Sequence, residues 1–575
     1  MNIKDWRNIE NGHIIPTEAG GYCDQPSLLE LSDGSWLCSV TTSDGHEGST
    51  AQYVGVTRSF DKGRTWSKLI RLEPMEDGQY WESSYSKLAS APDGTVFCFY
   101  CYNDMHILSK EAGVGRVDMG IAFCYRYSRD NGESWSNRIK IPIRDTKVDR
   151  EMPLFGTKGE RVPLFWNVAK VLVKDDTVYV PLSKIGNGKR FMDQGEGVLL
   201  KSSDLFQTPD QATWETLPEG EDGILCVEGF DTVCEEHCFV SLSDDSMVCT
   251  FRTKNGRSAY ALSHDGGKSF APSALLTYPD GRSVKNSRAN NTFWSISNGR
   301  YLYWFTNCGM AGYYTRNPAW LCAAVEVDTP QGKQLKLSQP EIVLYAEDKN
   351  VGFSYPDMLE GTDCYYISET QKTVARIHEI PKAFVDQIFR QFDETAGGDI
   401  KPDAEFTEGT HTMEPLGTVY QYTPLRNGQK EWIMPGLSLD FEVSFEGQQQ
   451  ILFDTVSEMT EGIRIVSTQE GCLEIIITEA RENFYMRTES CLCSGRNRVT
   501  VVFDFLAGTV YAVVNEQLLD GGENLYCGFK LISHSITNVG YGSRVTVGNP
   551  VDSVRVYRKA LYVTDCILLQ RKACK

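Results

Sequence analysis

Between Ser43 and Gly48 the chain reads Ser-Asp44-Gly-His46-Glu47-Gly. Two carboxyls and an imidazole in a glycine-flanked loop are the side chains of general acid–base chemistry. Such a loop can hold a carboxyl of raised pKa against a leaving-group oxygen. The same composition also makes a solvated turn. Other residues able to do chemistry stand where short apolar runs begin or end. They are Asp24 ahead of Pro26, Glu236 between Glu235 and His237, Tyr355 and Asp357 around Pro356, and the arginines Arg252, Arg288 and Arg316. Glu82, Asp104, His106 and Glu369 complete the set. Each has a plainer reading as a turn former, a solvated charge or a structural ion pair. No Ser/His/Asp nucleophile elbow, phosphate-cradling loop or dinucleotide fingerprint occurs. Cys491-Leu-Cys493 is too closely spaced for a zinc site and lacks a second pair, so neither metal nor cofactor is expected.

At 575 residues the chain calls for two or three domains. Its 11 Trp, 27 Tyr and 26 Phe suffice for a large core, and 50 Gly suit an all-β protein dense in turns. The net charge of −20, with no basic block, argues against nucleic acid and anionic membranes as partners. No apolar run reaches the length of a membrane span. Met1-Asn-Ile-Lys-Asp-Trp6 lacks the charged and apolar regions of a secretory signal, so a cytoplasmic location is expected. With it go reduced, packed cysteines, many of the 18 lying inside strand-like runs.

The elements that must position these residues announce themselves through a repeat. Ser59-Phe-Asp61-Lys-Gly63-Arg-Thr65-Trp66 fits S-x-D-x-G-x-[ST]-[WF], and the pattern returns at Ser128–Trp135 and Ser263–Phe270. The physics is that of a tight hairpin: Asp bonds backbone N–H groups two residues on, Gly takes a positive φ, and the aromatic ring packs the turn on the sheet. Each copy follows a strand-like run, and spacings of roughly 60–75 residues point to propeller blades. A further copy at Ser202-Ser-Asp204 reads as degenerate, with no Gly where one is due. Six blades fit within residues 1–390, and Ile380–Arg390 reads as a short helix. Residues 391–404 read as a linker. From 405 to 575 the chain alternates as β without the repeat, which predicts a jelly-roll sandwich.

Repeated Asp turns on a six-fold β pattern resemble the sialidase superfamily of six-bladed propeller glycosidases, over roughly residues 10–385. The part from residue 405 onward is similar to concanavalin/laminin-G sandwiches often appended to such enzymes. The resemblance implies a bacterial-type, exo-acting glycoside hydrolase with its pocket on the propeller axis. In that family three arginines grip a carboxylate, a Tyr–Glu pair supplies the nucleophile and a carboxylic acid protonates the leaving group. Glu236, Leu242 and Arg252 match the spacing of the activating glutamate and second arginine. Arg316 in Arg316-Asn-Pro-Ala-Trp-Leu resembles the third. Tyr355 stands in the nucleophile segment, slightly displaced, or Asp357 takes its role. The family's acid/base loop falls on Asp44–Glu47, with Asp24 itself a second candidate; Asp44, His46, Glu82, His106, Arg288 and Glu369 are expected to touch substrate.

One departure changes the expected substrate. Where the family has Y-R-I-P, this chain has Tyr22-Cys-Asp24-Gln-Pro26, an anion in the place of the first arginine. An anion there repels a carboxylate, so a neutral or amino sugar at the non-reducing end of an oligosaccharide is expected. A true exo-sialidase, a silent carbohydrate-binding propeller and a polysaccharide lyase are the alternatives. For the sandwich, glycan binding, homo-oligomer formation and buttressing stand open.

Overall fold

Short, fully buried antiparallel strands, each closed by a Gly- or Asp-bearing turn, give the chain six small sheets in sequence. The computed structural model describes residues 4–572 except 77, 107–121, 152–162, 188–190, 231, 233–234, 310–314, 424–428, 457–460, 480–482, 525–528, 534–535 and 541. Blade I comprises Tyr22–Glu30, Trp36–Ser43, Tyr53–Ser59 and Ile70–Arg71. Blade II runs from Ser83–Ser90 out to Ile139–Lys140, and blade IV from Cys238–Ser241 out to Ala274–Leu275. Blades III and V have five strands each; blade III begins on two short pieces, Phe165–Trp166 and Leu172–Lys174, which flank one neighbour. Blade VI carries Ser354–Glu360, Cys364–Thr370 and Ala375–Pro381, and its outermost strand is His13–Ile15. The start of the chain thus closes the last blade.

Each neighbouring pair of blades shares its own apolar cluster. Leu37 and Val54 meet Leu88 and Tyr100 between I and II. Phe99 and Tyr125 meet Val180 and Leu200 between II and III. Leu199 and Leu217 meet Phe239 and Cys249 between III and IV. Val248 meets Tyr303 between IV and V, Trp304 meets Ile367 between V and VI, and Trp36 meets Tyr366 between VI and I. The ring of contacts is closed, and the fold is a six-bladed β-propeller.

The repeated turns have one geometry. The Ser59 Oγ accepts from Gly63 N at 2.8 Å, while Asp61 accepts from Thr65 N at 2.8 Å and from its hydroxyl at 2.6 Å. The aspartate therefore reaches four residues on, not two, because the serine hydroxyl occupies the nearer position. Gly63, Gly132 and Gly267 all have φ between 80° and 87°. The copy at Ser202 lacks the glycine, as expected, yet keeps the aspartate contacts: Asp204 accepts from Thr213 N at 2.9 Å and Thr213 Oγ1 at 2.8 Å, and Trp214 follows. An insertion replaces the glycine turn while the aspartate still reaches the threonine ahead of the aromatic residue.

Beyond residue 403 two sheets stack. One is ordered Ala404–Thr407, Val551–Tyr557, Gly436–Phe445, Gly495–Asp504, Thr509–Val514, Gln517–Leu518, and the other runs from Gly409–Thr412 to Asn483–Arg487. Inward residues such as Leu439, Ile465, Ile475 and Val501 fill one core between them. The sandwich is also packed on the propeller, since Tyr511, Val513, Phe529 and Tyr557 share a cluster with Tyr303, Phe305 and Trp320. The helix expected near residue 380 spans Lys382–Phe389, and a second, Val563–Lys572, lies in the seam. The stretch read as a linker is tied down there: Gln391 bonds Gln339 and Thr564, and Gly398 N donates to Leu568 O. Among the described residues no disulfide forms, and no helix is long and apolar enough to cross a membrane.

Candidate active site

Four inner strands enter on a residue in the left-handed region: Gln25 (φ 51°), Tyr85 (57°), Glu236 (59°) and Tyr355 (50°). In blades I, II and VI the pairing register slips at this point, between Asp24 and Ser27, Ser84 and Lys87, and Ser354 and Asp357. A bulge turns side chains out of the pleat and re-aims them. Left-handed backbone in a non-glycine residue costs about 1–3 kcal/mol and persists only where the surroundings enforce it. Here Asn290 Oδ1 accepts from Tyr355 N at 2.8 Å, and Ser183 Oγ accepts from His237 N at 2.9 Å. His237 packs where Gly197 has no side chain; a Cβ there would lie 2.4 Å from its ring. Burial pushes the His237 imidazole down to about 3, so it is neutral packing beside Glu236.

The bulge at Tyr355 and the left-handed turn at Glu236 bring together residues 119 positions apart. The Tyr355 hydroxyl donates to Glu236 Oε1 at 2.6 Å, and Arg252 Nη1 stands 2.9 Å from Glu236 Oε2. Their exposures are 5% for Tyr355, 0% for Glu236 and 1% for Arg252. Burial first, and then the Glu236 charge, raise the Tyr355 phenol well above its ordinary value, against the opposing pull of Arg252 and Arg316. The phenol is thus neutral and must lose its proton to react. The acceptor it touches is the Glu236 carboxyl, whose other oxygen lies against the Arg252 guanidinium. Arg316 joins from blade V, its guanidinium donating to Ser354 Oγ next to Tyr355. Gly352 lets this strand close on it, since a Cβ at Gly352 would lie 3.0 Å from Arg316 Cβ.

Asp24 faces the same mouth from blade I but is 1% exposed. Its Oδ2 accepts from the Tyr22 hydroxyl at 2.5 Å and from Lys372 Nζ at 2.7 Å, and its Oδ1 from Gln25 N at 2.9 Å. Burial drives its pKa up, Lys372 pulls it back and Glu47 adds to the rise. The group available to a ligand is Lys372, whose side chain is 31% exposed. Its Nζ lies 3.6 Å from Glu47 Oε1 and 4.6 Å from the centre of the Tyr355 ring. This corner therefore holds a buried carboxylate and a lysine that reaches in from blade VI. Lys372 and Tyr22 escaped the sequence reading. A signal existed: the Gln371–Thr373 turn of blade VI is the counterpart of the Asp44–Glu47 loop of blade I, both following the second strand of their blade.

Other expected site residues stand apart from this group. Asp357 lies deeper on the axis, where it accepts from Lys170 Nζ at 2.9 Å, Leu28 N at 2.8 Å and Ser27 Oγ at 3.1 Å. Burial raises its carboxyl, but Lys170 and Lys87 outweigh that and hold it below the usual range. It is an interblade anchor, not an open nucleophile. Lys170, in the break of blade III's inner strand, also donates to Met358 O at 2.9 Å and so spans the axis to blade VI. On the far side of this crossing a cavity of about 540 Å³ opens, lined by Leu172, Val240, Trp294 and Leu359. Glu369 is fully buried and bonded to His378 (3.1 Å) and Gln371 (3.0 Å), which places it between strands of blade VI. His106 stacks on Trp81 at 4.1 Å with Nε2 3.5 Å from Glu76, and Asp104 pairs with Lys140, both on the rim of blade II. Glu82 is buried at the entry of blade II and Arg288 half-buried before blade V. In the blade I loop Asp44 and His46 are exposed, His46 Nδ1 lying 2.9 Å from Glu47 O, while Glu47 turns inward to Lys372.

No family model matches the chain, and no curated protein does. Among solved structures, the chain is similar to a protein of unknown function from Dyadobacter fermentans, with 16% identity and a TM-score of 0.44 over 64% of this chain and 97% of that one. It is similar to Trypanosoma rangeli sialidase in complex with 2,3-difluorosialic acid, with 11% identity and a TM-score of 0.42 over 99% and 97% of the two chains. A NanB sialidase variant from Streptococcus pneumoniae matches at 14% identity and a TM-score of 0.45, over 65% and 70%.

Proposed function

We propose that this protein is an exo-acting glycoside hydrolase of sialidase type in which Tyr355 is the nucleophile. The observation that carries the reading is the buried Tyr355–Glu236–Arg252 chain, with its 2.6 Å hydroxyl–carboxylate contact. A phenol of raised pKa is a poor nucleophile alone, and Glu236 is in place to take its proton as the phenol oxygen attacks the anomeric carbon. Arg252 lies 2.9 Å from the other oxygen of Glu236 and fixes the orientation of that carboxyl. The leaving oxygen receives a proton from Glu47, the loop carboxyl that faces inward; Asp24 is too enclosed by Tyr22, Lys372 and Gln25 to meet a substrate. Water then attacks the glycosyl–tyrosine intermediate with Glu47 as base, so configuration is retained. The Lys170–Asp357 crossing supports exo action, because a mouth closed on the axis receives a chain end.

The test is hydrolysis of a panel of aryl glycosides (sialoside, neutral α and β hexosides, amino sugars, uronides) by wild type and Tyr355→Phe. A matching fluorinated glycoside should add one sugar mass to a peptide containing Tyr355. Turnover left intact by Tyr355→Phe, or a label on another residue, removes the nucleophile assignment.

A further inference from the structure

We propose that Lys372, aimed by the buried Asp24, is the specificity-determining residue of the pocket and selects a sugar presenting a hydroxyl, not a carboxylate, at the corner between blades I and VI. The inference rests on the Tyr355–Glu236 reading for the location of the reacting sugar. Its ground is the surroundings of one ammonium group. Lys372 Nζ sits 2.7 Å from Asp24 Oδ2 and 3.6 Å from Glu47 Oε1, paired with the first and within reach of the proposed acid. A carboxylate brought to this corner meets the Asp24 carboxylate and a cation whose charge Asp24 already matches. A sugar hydroxyl meets no such repulsion, and its oxygen accepts from the ammonium, which has three N–H donors to share.

The lysine is also built in place. Its backbone is left-handed (φ 72°), Thr370 Oγ1 accepts from its N–H at 3.0 Å, and its carbonyl accepts from Cys23 N at 2.9 Å. Its ammonium is 4.6 Å from the Tyr355 ring centre and 5.4 Å from that of Tyr22, so anything it binds lies against the nucleophile. Arginine would offer a planar fork suited to a carboxylate, whereas lysine offers a point donor. Asp24 touches no substrate in this scheme. It is a positioning residue, with Tyr22 OH and Gln25 N occupying the rest of its carboxylate.

The experiment is calorimetric titration of Tyr355→Phe, which retains the pocket, with p-nitrophenyl hexosides, hexuronides and sialoside. The best neutral hexoside is expected to bind at least tenfold tighter than any carboxylated glycoside. In the same background Asp24→Asn, which removes the carboxylate paired with Lys372, should shrink that preference about tenfold. Lys372→Met should weaken the neutral ligand at least tenfold, and Lys372→Arg should restore part of the loss. Should Lys372→Met not fold, Asp24→Asn and Lys372→Arg still decide the matter. Tighter binding of a uronide or the sialoside, equal affinity in Lys372→Met, or no binding of any neutral glycoside overturns the proposal. Failure of the underlying reading looks different: undiminished turnover in Tyr355→Phe.

Discussion

Glu236→Gln tests the central chain of contacts in two independent readouts. The substitution keeps size and an acceptor but deletes the charge 2.9 Å from a guanidinium that is 1% exposed. At an effective dielectric constant of ~20 that pair interacts by about 6 kcal/mol, much of it offset by the desolvation of both groups. Removing one partner of a buried pair typically costs about 3–5 kcal/mol, because the other is left uncompensated. Retention of a carbonyl acceptor puts Glu236→Gln near the lower end, about 3 kcal/mol. For a large domain that lowers Tm by about 4 °C. As the proton acceptor for Tyr355, Glu236 should also contribute about 10²–10⁴ to kcat, or about 3–5 kcal/mol of barrier. The double variant Glu236→Gln with Arg252→Met removes the orphaned charge and should regain most of the melting temperature while regaining none of the rate. Tm followed by tryptophan fluorescence and kcat on the best aryl glycoside give the two numbers. A Glu236→Gln protein that melts with wild type and keeps kcat within threefold would refute both the buried-pair energetics and the proton-transfer role.

The remaining predictions concern other parts of the molecule. The Glu341 carboxyl lies in the seam between propeller and sandwich, accepting from Val563 N (2.9 Å) and Thr564 N (2.6 Å). Burial raises it to about 7 from 4.5, against those two N–H groups and with Asp565 adding to the rise. With the folded pKa above the unfolded one, its contribution to stability is full below about pH 4.5 and lost as pH rises to 7, at most about 3 kcal/mol. Glu341→Gln should flatten the wild-type decline in Tm between pH 4.5 and 7; an unchanged slope would place the proton elsewhere. Asp357→Asn should cost about 3–5 kcal/mol through unpaired Lys170, yet leave kcat per folded molecule within about threefold, because Asp357 anchors blades and does not face the sugar. A loss above 10²-fold in kcat at unchanged KM would return it to the chemistry. The Tyr355→Phe labelling test and the Lys372 affinity series complete the set.

Much of the architecture was legible because blades are local. A hairpin turn needs its Ser, Asp, Gly and aromatic residue within eight positions, so three copies could be read directly. The fourth reads as degenerate and has no glycine; what the sequence does not show is that the carboxylate still closes the turn across the insertion between Asp204 and Thr213. The Val563–Lys572 helix was missed for a related reason. Its first N–H groups are capped by Glu341 from blade V, a partner more than 200 residues away that no local pattern displays.

For the site, sequence alone determined which residue types were available and which blade edge each would occupy. It offered Asp24, Glu236, Arg252, Arg316, Tyr355 and Asp357 as residues around one pocket. Only the tertiary structure decided what those charges do. A carboxylate's role depends on which cation lies within about 4 Å and how much water reaches it. Both follow from ring closure, which sets residue 24 against residue 372 and residue 357 against residue 170. Hence Asp357, chemically as able as Glu47, became an anchor under Lys170, and Asp24 became the tether of a lysine that no motif pointed to.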